Sequence, residues 1–193
     1  METKGTVKIS PKYSKCDYHN LKLSLNSDEK NWKTAVDIFI DRIQGRYLSQ
    51  IDLLSSDINS NGFVIMAINC LLIETLYQFE NGFEETKENK KEYTAFLRKI
   101  DANAFNTNRK AESFYSNIRC GILHSAQTKK GARLSDEEDF VVKMENSVLL
   151  VSVKGVTNLL ITYFNEYAKK LLDNNEIELR ENFIKKMKYV CRK

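Results

Sequence analysis

The segment Phe114-Tyr115-Ser116-Asn117-Ile118-Arg119-Cys120-Gly121-Ile122-Leu123-His124 places an arginine and one of the chain's two histidines five residues apart in an apolar stretch. Arginine is a permanent cation whose planar guanidinium can hold a phosphate through two parallel hydrogen bonds. Histidine is the one side chain whose ordinary pKa lets it give and take protons near neutrality. Together Arg119 and His124 point to phosphodiester chemistry, and neither needs a metal or a cofactor for it.

The surrounding charge fits a polyanion. Between Arg98 and Arg133 eight basic residues stand against two acidic ones, a net +6 in a chain whose total is +4. Arg109, Lys110, Lys129, Lys130 and Arg133, with Tyr115 beside them, are the candidate polyanion-binding residues, since Lys and Arg neutralise phosphates, and the family resemblance given below makes that polyanion RNA. A solvated, lysine-rich surface is the plain alternative. Glu74 stands out as an ionisable group in an apolar helix, where it must be paired or protonated. It either bonds Arg119 and orients the site, or it faces a polar edge. Cys120 and His124 are four residues apart, so a thiolate–imidazole pair is geometrically possible, but no orienting third residue or oxyanion loop accompanies them. Two histidines, one of them His19 in the N-terminal arm, make no metal site. Nucleotide-binding loops of the Gly-x4-Gly-Lys-Ser/Thr or Gly-x-Gly-x2-Gly kind do not occur.

Helix geometry constrains the pair. At about 100° per residue, Phe114, Tyr115, Ile118 and Ile122 share an apolar face, and His124 points about 140° away from Arg119. A straight helix therefore does not converge the two groups. Either Gly121 loosens the helix between them, or a second copy of the chain completes the site.

The elements that must position these residues are mostly helical. At 193 residues, 42% of them hydrophobic, the chain suits a single domain with a sizeable core. One proline and few interior glycines permit long helices. Residues 1–26 alternate polar and apolar (Thr6 to Ser10, Asn20 to Leu25) and read as an arm with short strands. From 27 to 193 the expectation is one helical domain. Trp32, Ala35, Val36, Phe39, Ile40, Ile43, Tyr47, Ile51 and Leu54 mark an amphipathic helix starting near Asp28, and a nearly all-apolar helix runs from Gly62 to Glu80. A charged stretch, Glu84 to Glu92, leads to a short helix with Tyr93, Phe96 and Leu97 on one side. The motif helix starts near Thr107 and ends between Ser125 and Thr128. Two β-rich runs around Glu145-Asn146-Ser147 predict a hairpin at about 139–153. Helices return with Leu159, Leu160, Tyr163 and Phe164, then from Glu176 to Val190, ending in Lys185, Lys186, Lys188, Arg192 and Lys193. That tail is either RNA-binding or simply cations favoured at a helix C-terminus. Four dispersed cysteines and no apolar leader at the start predict reduced thiols in a cytoplasmic protein that does not enter a membrane.

Arg119-Cys120-Gly121-Ile122-Leu123-His124 resembles the Arg-x4–6-His signature of the HEPN superfamily, and the order of helices from about Asp28 to Leu172 is similar to that family's. The resemblance implies a mainly α, HEPN-like helical bundle with the small β-hairpin set between the motif helix and the C-terminal helices. It implies a metal-independent endoribonuclease, a toxin or phage-defence effector, that works as a homodimer with two motifs facing each other. Carried over, His124 is the general acid or base and Arg119 stabilises charge on the phosphorus, giving 2′,3′-cyclic phosphate ends. Glu74, Cys120 and Gly121 support the pair. Partners implied are RNA, a second copy, and an antitoxin or nucleotidyltransferase. Some toxin members carry a modified tyrosine two residues past the histidine, and Ala126 stands there instead. In active members the residue after the motif arginine is usually polar. Cys120, a poor hydrogen-bond donor, leaves a second reading open: a HEPN-like RNA- or protein-binding or dimerisation module without catalysis.

Overall fold

A computed structural model describes residues 7–86 and 89–192. Thr6 of the alternating arm, Lys87 and Glu88 of the charged stretch, and Lys193 of the basic tail lie outside them. The protein is mainly α with a small β element. Two compact units divide the chain: residues 1–50, 78–85 and 164–193 form the first, and residues 51–77 and 86–163 the second.

In the first unit no strand forms among the described residues of the arm. Residues Lys15–Asn20 form a short helix, α1, and the extended pairing is limited to one isolated bridge between Lys8 and Ser14. Local capping chemistry overrides the polar–apolar alternation. The Ser14 hydroxyl accepts from the Asp17 amide, and the Asp17 carboxylate accepts from the Ser14 amide at 2.6 Å, a reciprocal box that fixes a helix start. Helix α2 (Glu29–Ile43) begins at the Asp28 cap as its sequence predicts. Trp32, Ala35, Val36, Phe39 and Ile43 are buried, whereas Ile40 is exposed. Phe39 centres an aromatic cluster, with ring centroids 4.7 Å from Phe79, 5.6 Å from Phe164, 5.5 Å from Tyr167 and 5.8 Å from Phe183. Such tilted and edge-on contacts add to the area each ring removes from water. Lys186 of the basic tail is buried here, donating to the Gln78 side chain and to the Glu84 carbonyl at 2.7 Å each. Arg192 pairs with Glu84. Two of the tail's cations are therefore engaged within the fold.

Helical backbone continues past α2 through a π-helical stretch (Gln44–Leu48), α3 (Ser49–Leu54) and a 3₁₀ turn (Ser55–Asp57) into α4 (Ile58–Asn81). The apolar helix thus begins before Gly62, because Ser55 Oγ and Asn61 Nδ2 donate to the carbonyls of Ile51 and Leu54 across the break. Gly82, at φ +65°, ends it. The run Glu29–Asn81 contains a window of mean hydropathy 1.6, apolar enough by composition to cross a membrane, and half of that window is buried within the fold.

In the second unit, α4 packs Ile65, Met66, Cys70, Leu72, Ile73 and Leu76 into the core, with Tyr93, Phe96 and Leu97 of α5 (Asn89–Ile100). The hairpin forms as β2 (Val142–Glu145) and β3 (Val148–Ser152), antiparallel, joined by Asn146 and Ser147 at φ +48° and +67°. Two consecutive positive φ values match the right-handed twist of a two-residue hairpin. A further strand, β1 (Arg133–Ser135), pairs in parallel with β3, with Arg133 opposite Leu150. The chain then enters α8 (Val153–Leu171), and α9 (Ile177–Arg192) closes the sequence in the first unit.

Candidate functional site

The motif helix is three helical segments in series: α6 (Asn108–Ser113), a π-helical turn (Phe114–Arg119) and α7 (Cys120–Ser125). Thr107 caps its start by accepting from the Lys110 amide, and Ala126 in the left-handed conformation ends it. Phe114, Ile118 and Ile122 are buried, as the apolar spacing requires, and Phe105 and Tyr93 pack on Phe114. In the wide turn the Cys120 amide donates to the Tyr115 carbonyl, five residues back. Turns of this kind are uncommon and recur at functional sites. Here the turn leaves the Asn117 carbonyl to accept from the Lys129 amide at 2.9 Å, which ties the loop after the helix to the motif.

Arg119 and His124 meet within one chain. Arg119 Nη1 lies 3.1 Å from His124 Nε2, and Arg119 Nη2 donates to Glu74 Oε2 at 2.9 Å. This corrects the expectation that helix phase keeps the pair apart: the Cβ directions diverge, but the long guanidinium side chain spans the difference. Gly121 does not kink the helix, since it lies within α7 with regular helical neighbours. Its role is close approach. A Cβ there would overlap the Gln127 carbonyl and stand 3.3 Å from Thr128 Cα, so only glycine lets the loop fold back over α7.

Burial sets the electrostatics. The Arg119 side chain is 11% exposed and that of Glu74 22%, while His124 is exposed. Burial by itself disfavours the Arg119 cation, yet the hydrogen bond and charge of Glu74, with contributions from Cys120 and Tyr115, outweigh it and hold the guanidinium more firmly protonated than usual. Guanidinium has donors and no acceptor, so its contact with His124 uses the Nε2 lone pair and leaves the ring proton on Nδ1.

Beneath the pair lies an aromatic and sulfur layer. The Arg119 guanidinium sits 5.6 Å from the Tyr115 ring centroid, and Tyr115 packs edge-on against Tyr93 at 5.4 Å. Burial, then a hydrogen bond with Cys120, pushes the Tyr115 hydroxyl upward in pKa. Cys120 thus associates with Tyr115 and Arg119, and among the described residues no hydrogen bond joins it to His124. Cys70 is fully buried beside the Tyr93 hydroxyl, and burial pushes its thiol up to about 12. Tyr93 and Cys70 carry no sequence signal beyond their places on apolar faces.

The six candidate RNA-binding residues do not converge. Tyr115 lies against Arg119. Arg109 and Lys130 line a separate groove of about 550 Å³ with Lys90, Glu112, Asn117 and others, while Lys110, Lys129 and Arg133 do not line it. Lys90, from α5, is a contributor that sequence reading missed, and Glu112 pairs with it at 2.9 Å. A neighbouring groove of about 430 Å³ shares Lys90 and Glu112 and adds Lys91 and Arg98. Among the described residues no group of three or more His, Cys, Asp or Glu side chains converges as a metal site would require. The fold and site define a mainly α protein carrying a half-buried carboxylate–guanidinium–imidazole chain. Comparison with protein-family models, with curated proteins and with solved structures finds no match.

Proposed function

We propose that the chain is a metal-independent endoribonuclease of the HEPN type, acting through Arg119 and His124. The observation that carries this reading is the Glu74–Arg119–His124 chain of contacts, which sets a buried, carboxylate-anchored cation beside an exposed imidazole. Cleavage requires a base to take the ribose 2′-hydroxyl proton while the 2′-oxygen attacks phosphorus, and a cation to bear the charge that builds on the phosphoryl oxygens. His124, neutral at Nε2, fits the first task. Arg119, a cation anchored by Glu74, fits the second. A phosphate arriving at Arg119 competes with Nε2 for the same donor, so substrate binding itself frees the base. The P–O5′ bond breaks as the 2′-oxygen bonds to phosphorus, the 5′-oxygen takes a proton from water while His124 returns the one it accepted to solvent, and the products carry a 2′,3′-cyclic phosphate and a 5′-hydroxyl.

The homodimer belongs to the same proposal. Val64 and Leu71, seven residues apart on α4, are 51% and 46% exposed, and Glu74 lies one turn beyond Leu71 on that helix. A second copy covering this apolar stripe would bring two motifs together. The second reading, a binding or dimerisation module without catalysis, draws on the same contacts: Glu74 and His124 both engage the Arg119 guanidinium.

Purified protein incubated with single-stranded RNA in EDTA, beside His124→Ala and Arg119→Ala, separates the two. Cutting by the parent that both substitutions abolish supports the nuclease. RNA left intact at every protein concentration sinks it in favour of the module.

A further inference from the structure

Arg180 stands in the first turn of α9, only 5% exposed, with its guanidinium carbon 3.8 Å from the centroid of the Trp32 ring. The ring is itself fixed, its Nε1 donating to the Ser24 carbonyl at 3.2 Å and its face tilted against Phe183. Among the described residues no side-chain hydrogen bond or ion pair engages the Arg180 guanidinium, and its Nε is closed off from solvent. Two acidic residues stand close along the chain, and neither pairs with it. Asp173 is committed to its own turn, Oδ1 accepting from the Asn175 amide at 2.9 Å and from Asn175 Nδ2 at 3.0 Å. Glu176, one helical turn earlier, accepts the Arg180 amide on its carbonyl and leaves the guanidinium alone.

Such a placement is unfavourable on three counts. Burial pulls the guanidinium below its usual pKa, which the charge of Asp173 offsets only in part. A cation in a first helical turn opposes the helix dipole. Donors removed from water without an acceptor lose their hydration and gain no hydrogen bond. The indole face compensates some of this, since a cation over a ring is attracted to it, and it also holds the guanidinium plane in place. What results is an oriented cation without a counter-ion, and arginine and tryptophan are the residue types that anchor protein interfaces.

The neighbourhood selects the ligand. Ile177, three residues before Arg180 and so on the same side of α9, is 57% exposed, and Leu172, just past the end of α8, is 45% exposed. Asp173, Glu176 and Glu178 surround them with negative charge, which repels a polyanion far more than it repels a single carboxylate. We infer that Arg180 and Ile177 form a docking site for a segment of another protein that presents one Asp or Glu carboxylate beside an apolar side chain. The planar guanidinium takes the carboxylate through charge-assisted hydrogen bonds, and the apolar group covers Ile177. No residue of the Glu74–Arg119–His124 chain takes part, so the site holds or fails independently of cleavage.

Trp32 is the chain's single tryptophan, so its fluorescence reports this site alone. The full chain is titrated at low salt with the capped peptide acetyl-Leu-Asp-Leu-amide, with its Asn counterpart of equal shape and no charge, and with acetate and inorganic phosphate. A saturable change with the Asp peptide is expected, at a dissociation constant of about 1 mM, with the Asn peptide, acetate and phosphate each about tenfold weaker. Arg180→Met, which keeps an unbranched stem over Trp32, and Ile177→Asp are each expected to weaken the Asp peptide about tenfold. Arg180→Met should also melt no lower than the parent, because the fold gives the cation no partner to lose. A Tm lowered by more than about 4 °C in Arg180→Met would make Arg180 a structural group and overturn the inference. So would the absence of saturation, equal binding of the Asp and Asn peptides, acetate or phosphate bound as tightly as the Asp peptide, or affinity indifferent to both substitutions. Sedimentation showing a self-associated parent that Arg180→Met dissociates would overturn it too, by giving the site to a second copy of the chain.

Discussion

Replacing Glu74 by Gln keeps the shape and one acceptor oxygen but removes the charge that anchors Arg119. Exposed ion pairs are worth about 0–1 kcal/mol, and breaking a fully buried one costs about 3–5 kcal/mol. With side chains 11% and 22% exposed, the Arg119–Glu74 pair lies between these limits. Loss of the charge in Glu74→Gln should therefore cost about 2 kcal/mol, or roughly 4–8 °C in Tm for a chain of this length. A thermodynamic cycle with Arg119→Met isolates the pair itself, since Arg119→Met removes the buried cation that Glu74 neutralises. A coupling of about 1.5 kcal/mol is expected. Urea unfolding followed by far-ultraviolet circular dichroism at neutral pH reads both quantities. A loss below about 0.5 kcal/mol in Glu74→Gln, or additivity of the two substitutions within that margin, would refute the assignment of Glu74 as the anchor of Arg119.

Gly121→Ala forces a Cβ into the Gln127 carbonyl and should lower stability by about 1–3 kcal/mol, with faster hydrogen exchange at the Lys129 amide that the loop ties to Asn117. Tyr115→Leu removes the ring under Arg119 and should cost about 0.5–1 kcal/mol of that contact, whereas Tyr115→Phe retains it, a difference visible in thermal melts. Burial, reinforced by Arg42, lowers the Lys186 ammonium to about 8. Its folded pKa is thus below the unfolded one, so between about pH 8 and 10.5 the unfolded chain binds the extra proton and the Lys186 contribution to stability rises with pH. The Tm of the parent minus that of Lys186→Met should increase across this window. A constant or falling difference contradicts the buried ammonium.

Much of the scaffold can be read directly. The Asp28 cap and the three- and four-residue apolar steps mark α2, the apolar run marks α4, and the Asn146-Ser147 turn between β-branched runs marks the hairpin. The arm was misread because period-two alternation outvoted the Ser14-x-x-Asp17 box, a local pattern worth more over six residues than weak periodicity. Glu74 was conspicuous as a lone carboxylate on an apolar helix, and it accepts from Arg119. Convergence of Arg119 with His124 was hidden because helix phase describes Cβ directions, not the reach of a guanidinium. The π turn leaves no compositional trace, so the Asn117 carbonyl that it frees for the Lys129 amide could not be foreseen. Lys90 joins Arg109 and Lys130 only through tertiary packing of α5, which one-dimensional charge counting cannot supply. Likewise β1 pairs with β3 through just three residues, too short for a sequence period.

The most direct measurement compares an oligoribonucleotide cut by the parent protein in EDTA with the same strand carrying a single 2′-deoxy sugar at the cut position, the product ends being read by mass spectrometry. A metal-free Arg119–His124 mechanism gives a 2′,3′-cyclic phosphate and a 5′-hydroxyl on the first strand and no cut at that position on the second, because the nucleophile is the 2′-oxygen. Cleavage at the deoxy position, linear phosphate ends formed directly, or undiminished cutting by His124→Ala would contradict it.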